Sequence, residues 1–141
     1  MNKKSSFYTL NGYRSKSKNK LTESMEDYLE MIYRNKNKSE IHVKEIAIKL
    51  NVKPSSVSKM INKLKEYNLV IFEKYGSITL TKQGDDMGKY LLWRHNVLVK
   101  FFKKLNKKNY LLEQVEKIEH FIDFETLKNM EKCIKTNHPH E

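Results

Sequence analysis

Cysteine is almost absent: the single Cys133 excludes an internal disulfide framework and any multi-cysteine zinc site. Glycine is scarce, four in 141 residues, and neither a phosphate-binding glycine loop nor a nucleophile elbow is present. Long apolar runs are missing too. The stretch Tyr90 to Trp93 is as long as they get, far short of the roughly 20 residues that span a bilayer. Met1 to Ser6 is basic, but only Phe7 to Leu10 follows before polarity returns, so no secretory signal is expected. Acidic residues are outnumbered, 17 against 28 Lys and Arg, for a net charge of +11 and a pI near 9.6. An excess of that size points to a polyanionic partner, nucleic acid before an anionic membrane surface. Cytoplasmic localisation and no membrane partner are the expectations.

Residues 1–20 hold five Lys, one Arg and no acid among many Ser and Asn. Such a segment cannot bury a core and reads as a disordered basic tail, either solvated or adding phosphate contacts. The rest is dominated by helical periodicity. Thr22, followed by Glu23, Glu26 and Asp27, opens a helix to Arg34 whose buried face carries Met25, Tyr28, Leu29 and Ile32. A polar loop over Asn35 to Glu40 is expected, then helices over Val43 to Leu50 and, with proline in its first turn, Pro54 to Tyr67. Leu69 to Lys74, the turn Tyr75-Gly76-Ser77 and Ile78 to Leu80 read as a hairpin. Thr81 caps a long helix to about Leu105, striped by Met87, Leu91, Leu98, Phe101 and Leu105. Shorter helices follow over about Leu111 to Ile122 and Glu125 to Thr136.

The segment Ile46 to Met60 has the spacing of a helix-turn-helix. Ala47 is small where two helices would cross, and Ile46, Leu50, Val52, Val57 and Met60 supply apolar contacts. Asn51 stands where the turn needs positive φ. Pro54 to Tyr67 is then the recognition helix. Lys53, Ser55, Ser56, Ser58, Lys59, Asn62 and Lys63 are its candidate contacts to phosphates and base edges. A hairpin directly after it makes a winged helix, with Lys74, Tyr75 and Ser77 at or near the wing tip. Seven Lys against Glu66 and Glu73 between residues 49 and 82 concentrate positive charge on this unit.

A second signal is a set of carboxylates and imidazoles. Asp27 and Glu30 are three apart on one helix face, and Glu116, Glu119 and His120 share another. Carboxylates this close repel unless solvated or neutralised, and the same spacing also serves a solvated face. With His95 the set has four carboxylates and two imidazoles, matching two divalent cations. Oxygen-rich ligation with two nitrogens and no thiolate favours Mn²⁺ or Fe²⁺.

Several motifs in order, Ser24 to Glu30, Pro54 to Met60, Glu73-Lys74-Tyr75, Leu80 to Gly84, Arg94-His95 and Ile118-Glu119-His120, resemble the diphtheria toxin repressor family. The likeness spans residues 22–136 and looks nearest the manganese transport regulator branch. It implies a mainly α fold: an N-terminal winged helix-turn-helix with a small β-hairpin wing, plus a C-terminal helical dimerisation domain. Domains of 21–83 and 84–141 are expected. The family's metal ligands fall on Asp27, Glu30, His95, Glu116, Glu119 and His120. Iron-sensing relatives resemble this chain but carry Met and Cys where Asp27 and Glu119 stand, so Mn²⁺, two ions per chain, is the implied effector, with Fe²⁺ the alternative. Glu30 and Glu116 are the expected bridging ligands.

The resemblance further implies a homodimer on a palindromic double-stranded DNA operator, repressing metal uptake genes. A metal-independent winged-helix regulator is the rival reading. An enzyme of the di-metal carboxylate type is not expected, because the second Glu-x-x-His is missing.

Overall fold

The computed structural model describes residues 21–37, 40–107 and 112–136. The expected basic tail at 1–20 lies outside these described residues. Helix α1 runs Glu23–Arg34, with Thr22 Oγ1 accepting from the Met25 N–H at 3.2 Å and two acids in the first turn. Its buried face is Met25, Leu29 and Ile32. After a two-residue strand, β1 (Ile41–His42), come α2 (Val43–Leu50) and α3 (Pro54–Glu66), with Pro54 in the first turn of α3. Between them Asn51 takes φ 54, the left-handed conformation the turn requires. Ile46, Ala47 and Val57 are buried where the helices meet. Leu50 and Val52, expected beside them, stay 39% and 40% exposed because the tight turn carries both outward.

Strands β2 (Val70–Phe72) and β3 (Ser77–Leu80) form the hairpin, joined by a 3-10 turn over Lys74–Gly76. β1 adds to its far side, giving the antiparallel order β1-β3-β2 with Ile41 opposite Ile78 and His42 opposite Ser77. Two residues carry no readable period, so this strand has no sequence signature. Ser77 is buried in the sheet rather than at the wing tip.

Helix α4 (Lys82–Asn106) starts where Thr81 Oγ1 accepts from the Gly84 N–H at 2.9 Å while its hydroxyl donates to the Asn68 carbonyl at 2.6 Å. Gly84 is required here: a Cβ would fall 1.8 Å from the Leu69 carbonyl oxygen. The helix serves two cores. Leu91 joins the winged-helix core of Met25, Leu29, Ile32, Val57, Ile61 and Leu64. Val97 and Leu98 pack instead with Val115 and Leu127. Leu105, expected on the buried stripe, is 65% exposed. It lies beyond the last turn that α6 (Phe124–Lys135) covers.

Asp123 caps α6 by accepting from the Thr126 N–H. Lys104 closes its other end, donating to the carbonyls of Cys133 and Thr136 at 2.9 Å each. The helix expected from Leu111 to Ile122 is α5 (Leu112–Ile118) followed by a separate 3-10 turn, Glu119–Phe121.

Candidate metal centre and nucleic-acid interface

The four carboxylates and two imidazoles named above come from α1, α4, α5 and the turn after α5. Two groups of side chains can each offer converging ligand atoms within 4.8 Å of one another: Asp27, Glu119 and His120, and Glu30, His95 and Glu119. Glu119 belongs to both and is 1% exposed. The 3-10 turn makes this possible, since leaving the α-helix at Ile118 turns Glu119 inward and His120 toward α1. Glu116 stays on α5, half exposed, with Oε1 3.7 Å from His95 Nδ1 and outside both groups.

His95 Nδ1 lies 3.0 Å from Glu119 Oε2, and this hydrogen bond raises its pKa against the effect of burial. His120 is held from both sides, Nδ1 2.8 Å from Glu26 Oε1 and Nε2 3.2 Å from Asp27 Oδ1. Those carboxylates, Asp27 first, push its pKa up to about 10. Burial drives Glu30 above the usual carboxylate range against the pull of Arg34. Burial, with Glu119 nearby, does the same for Glu116. Two buried carboxylates, Glu30 and Glu119, with half-exposed Asp27 and Glu116 and two imidazoles are a donor set that a hard divalent cation fits.

Three residues that spacing did not single out as site members complete the centre. Glu26, read only as a helix-start acid, accepts from His120 Nδ1–H and so leaves Nε2 as the nitrogen facing Asp27 and Glu119. Arg94, almost fully buried, reaches Glu26 through both terminal nitrogens at 3.3 Å, and its Nε has no partner among the described residues. Arg34 donates twice to Glu30. Glu26 and Arg94 both sit in quoted motifs, but their meeting across 68 positions has no spacing signal.

Across α1 from the metal centre, the helix-turn-helix presents its polar residues outward. Lys53, Ser55, Ser56, Lys59, Asn62 and Lys63 are exposed and Ser58 is half-buried. No acid stands in the first turn of α3, and Lys53 offers no side-chain cap, so the positive end of the helix is left for an anion. In the wing, Tyr75 (φ 66) and Gly76 (φ 75) both adopt the left-handed conformation. Glu73 N–H donating to Ser77 O at 2.9 Å ties the turn's ends, leaving Tyr75 96% exposed beside exposed Lys74.

The family described as "Iron dependent repressor, N-terminal DNA binding domain" matches residues 20–78. Together with this site, that match defines the class: a metal-dependent DNA-binding transcriptional regulator and not an enzyme. The HTH-type transcriptional regulator MntR of Shouchella clausii is 40% identical over 108 residues, covering 75% of this chain and 76% of that protein. The regulator of the same name from Listeria welshimeri is 38% identical over 122 residues, covering 84% and 86%. The chain belongs to the diphtheria toxin repressor family, in its manganese transport regulator branch. Among solved structures, the manganese regulator SloR superposes with a TM-score of 0.67 at 30% identity, over 81% of this chain and 54% of that one. ScaR with bound Cd²⁺ gives 0.69 at 26%, over 78% and 53%. The chain spans a little over half the length of these solved relatives. Among the described residues no helix is long and apolar enough to cross a membrane.

Proposed function

We propose that this chain is a Mn²⁺-responsive repressor in which Asp27, Glu30, His95, Glu116, Glu119 and His120 hold two ions. Their occupancy sets the position of the recognition helix. The observation that carries the reading is Glu119, shared by the two ligand groups and linking α1 to the helical half of the molecule. A bound divalent cation supplies positive charge that lets these carboxylates ionise side by side.

The chain's own residues convert that into a DNA response. Asp27, exposed, and Glu30, buried, stand on the flank of α1 that faces His95, Glu119 and His120. The opposite flank (Met25, Leu29, Ile32) shares a core with Val57, Ile61 and Leu64 of α3. Drawing the first flank toward His95, Glu119 and His120 therefore constrains where α3 lies. When no ion is held, Arg34 on Glu30 and the His120 ring against Asp27 supply the positive charge at this junction, and a bound ion takes their place. Metal need not touch DNA; it need only favour the binding-competent arrangement.

In the division 21–83 and 84–141, α4 is the shared beam. A homodimer would place two recognition helices on the half-sites of a palindromic operator. Leu105, Leu112, Phe121 and Phe124, exposed on the helical half, supply apolar surface for a second copy. The proposed DNA contacts are those named above, from Lys53 to Lys63 on α3 with Lys74 and Tyr75 on the wing. The function in the cell is control of metal uptake genes in the cytoplasm. Fe²⁺ remains the alternative effector for the same donor set.

Selection of random duplexes by chelator-treated protein, with and without Mn²⁺, tests the reading. Enrichment of a two-fold symmetric site in the Mn²⁺ arm alone is expected. Equal enrichment in both arms would leave a metal-independent winged-helix regulator.

A further inference from the structure

We infer that Arg34 is a competing cation built into the metal centre and that it raises the free Mn²⁺ concentration at which this chain responds. The inference rests on the metal reading above. Arg34 lies one turn along α1 from Glu30 and donates to it from Nε at 2.9 Å and from Nη2 at 2.5 Å. Both donors fall on the same oxygen, Oε2. Glu30 has an 11% exposed side chain and belongs with His95 and Glu119 to one of the two ligand groups. A carboxylate needed for an ion is therefore already neutralised by a group that cannot lose its charge.

The exposure of the guanidinium decides what it does next. Arg94, on the other side of the centre, is 4% exposed and locked on Glu26. Arg34 is 42% exposed, so solvent can receive it once Glu30 is claimed. It serves the metal-free state, in which Glu30 would otherwise be a buried carboxylate beside Glu119 with no cation on it. It opposes the loaded state, in which one more positive charge stands near the ions. An i,i+4 Glu–Arg pair at a helix end also gives modest support to the helix itself. That ordinary role predicts no change in Mn²⁺ affinity, and the two roles separate by experiment.

Arg34→Met and Arg34→Lys are compared with the wild-type chain by counting free Mn²⁺ with electron paramagnetic resonance during titration of chelator-treated protein. Thermal unfolding of the metal-free proteins gives a second, independent readout. Arg34→Met is expected to bind Mn²⁺ on the order of tenfold more tightly, the effect of removing one unit charge at a partly screened site. Its metal-free unfolding midpoint should fall by a few degrees. Arg34→Lys, which keeps the charge, should stay near wild type on the first measure. Affinity unchanged or weakened in Arg34→Met would overturn the inference while leaving the metal centre standing. No specific uptake by the wild-type chain would overturn the metal reading and this inference with it.

Discussion

Manganese affinity should climb with pH, because His120 must give up a proton to become a ligand. Its ring is clamped between Glu26 Oε1 at 2.8 Å and Asp27 Oδ1 at 3.2 Å, and its pKa lies at about 10 in place of the usual 6.5. A nitrogen carrying a proton cannot ligate a metal. At neutral pH, removing that proton costs about 1.4 kcal/mol for each of roughly three pH units, or about 4 kcal/mol. Asp27 is half exposed, so solvent screens part of its hold and reduces this cost to about 2 kcal/mol. His95 moves the same way, raised by its bond to Glu119.

Binding should therefore release between one and two protons. Affinity should rise up to about tenfold per pH unit for each across the neutral range, until His120 titrates near pH 10. The metal-free fold follows the opposite trend. A raised imidazole pKa contributes stability that is whole below about 6.5 and is lost as pH climbs toward about 10. Anaerobic Mn²⁺ titrations at several pH values between about 6 and 9, with proton release counted in buffers of different ionisation enthalpy, measure both quantities. An affinity that stays flat across that window would refute the clamp.

Near about pH 9, where little of the His120 proton penalty remains, Glu26→Gln should weaken Mn²⁺ binding by roughly tenfold to a hundredfold although Glu26 is in neither ligand group, because His120 Nδ1 loses its carboxylate. The loss should be smaller at neutral pH, where the same change eases release of the His120 proton; wild-type affinity at the higher pH would show that Glu26 orients nothing. Gly84→Ala should lower the unfolding free energy by about 3 kcal/mol or more in urea denaturation, since the new methyl meets the Leu69 backbone oxygen rather than a side chain that can turn away. Lys59→Ala and Lys63→Ala should each reduce the salt dependence of DNA binding by about one ion, and a slope identical to wild type would remove that lysine from the phosphate contacts.

Caps and turn conformations decided by neighbours along the chain were legible beforehand. Thr22 and Thr81 as caps, Pro54 opening the recognition helix and Asn51 at positive φ depend on interactions within about one turn, and all stand as read. The residue types of the metal centre were legible for a related reason: carboxylates and imidazoles repeating on helix faces are conspicuous whether or not their partners are known. The regulator's family followed from several such motifs in order.

What escaped reading depends on which distant surfaces meet. β1 exists only because β3 offers it an edge. The break at Ile118 carries no helix-breaking residue, yet it makes Glu119 the shared carboxylate and leaves Glu116 at the margin, where the family resemblance had suggested Glu30 and Glu116 as bridges. The bond between Glu26 and His120 joins residues 94 positions apart, and no periodicity within either helix encodes it. Side-chain chemistry is a property of the sequence. Which carboxylate faces which imidazole is settled by the packing of α1 against α4 and by the turn after α5, because charges in a partly buried site interact over only a few ångströms.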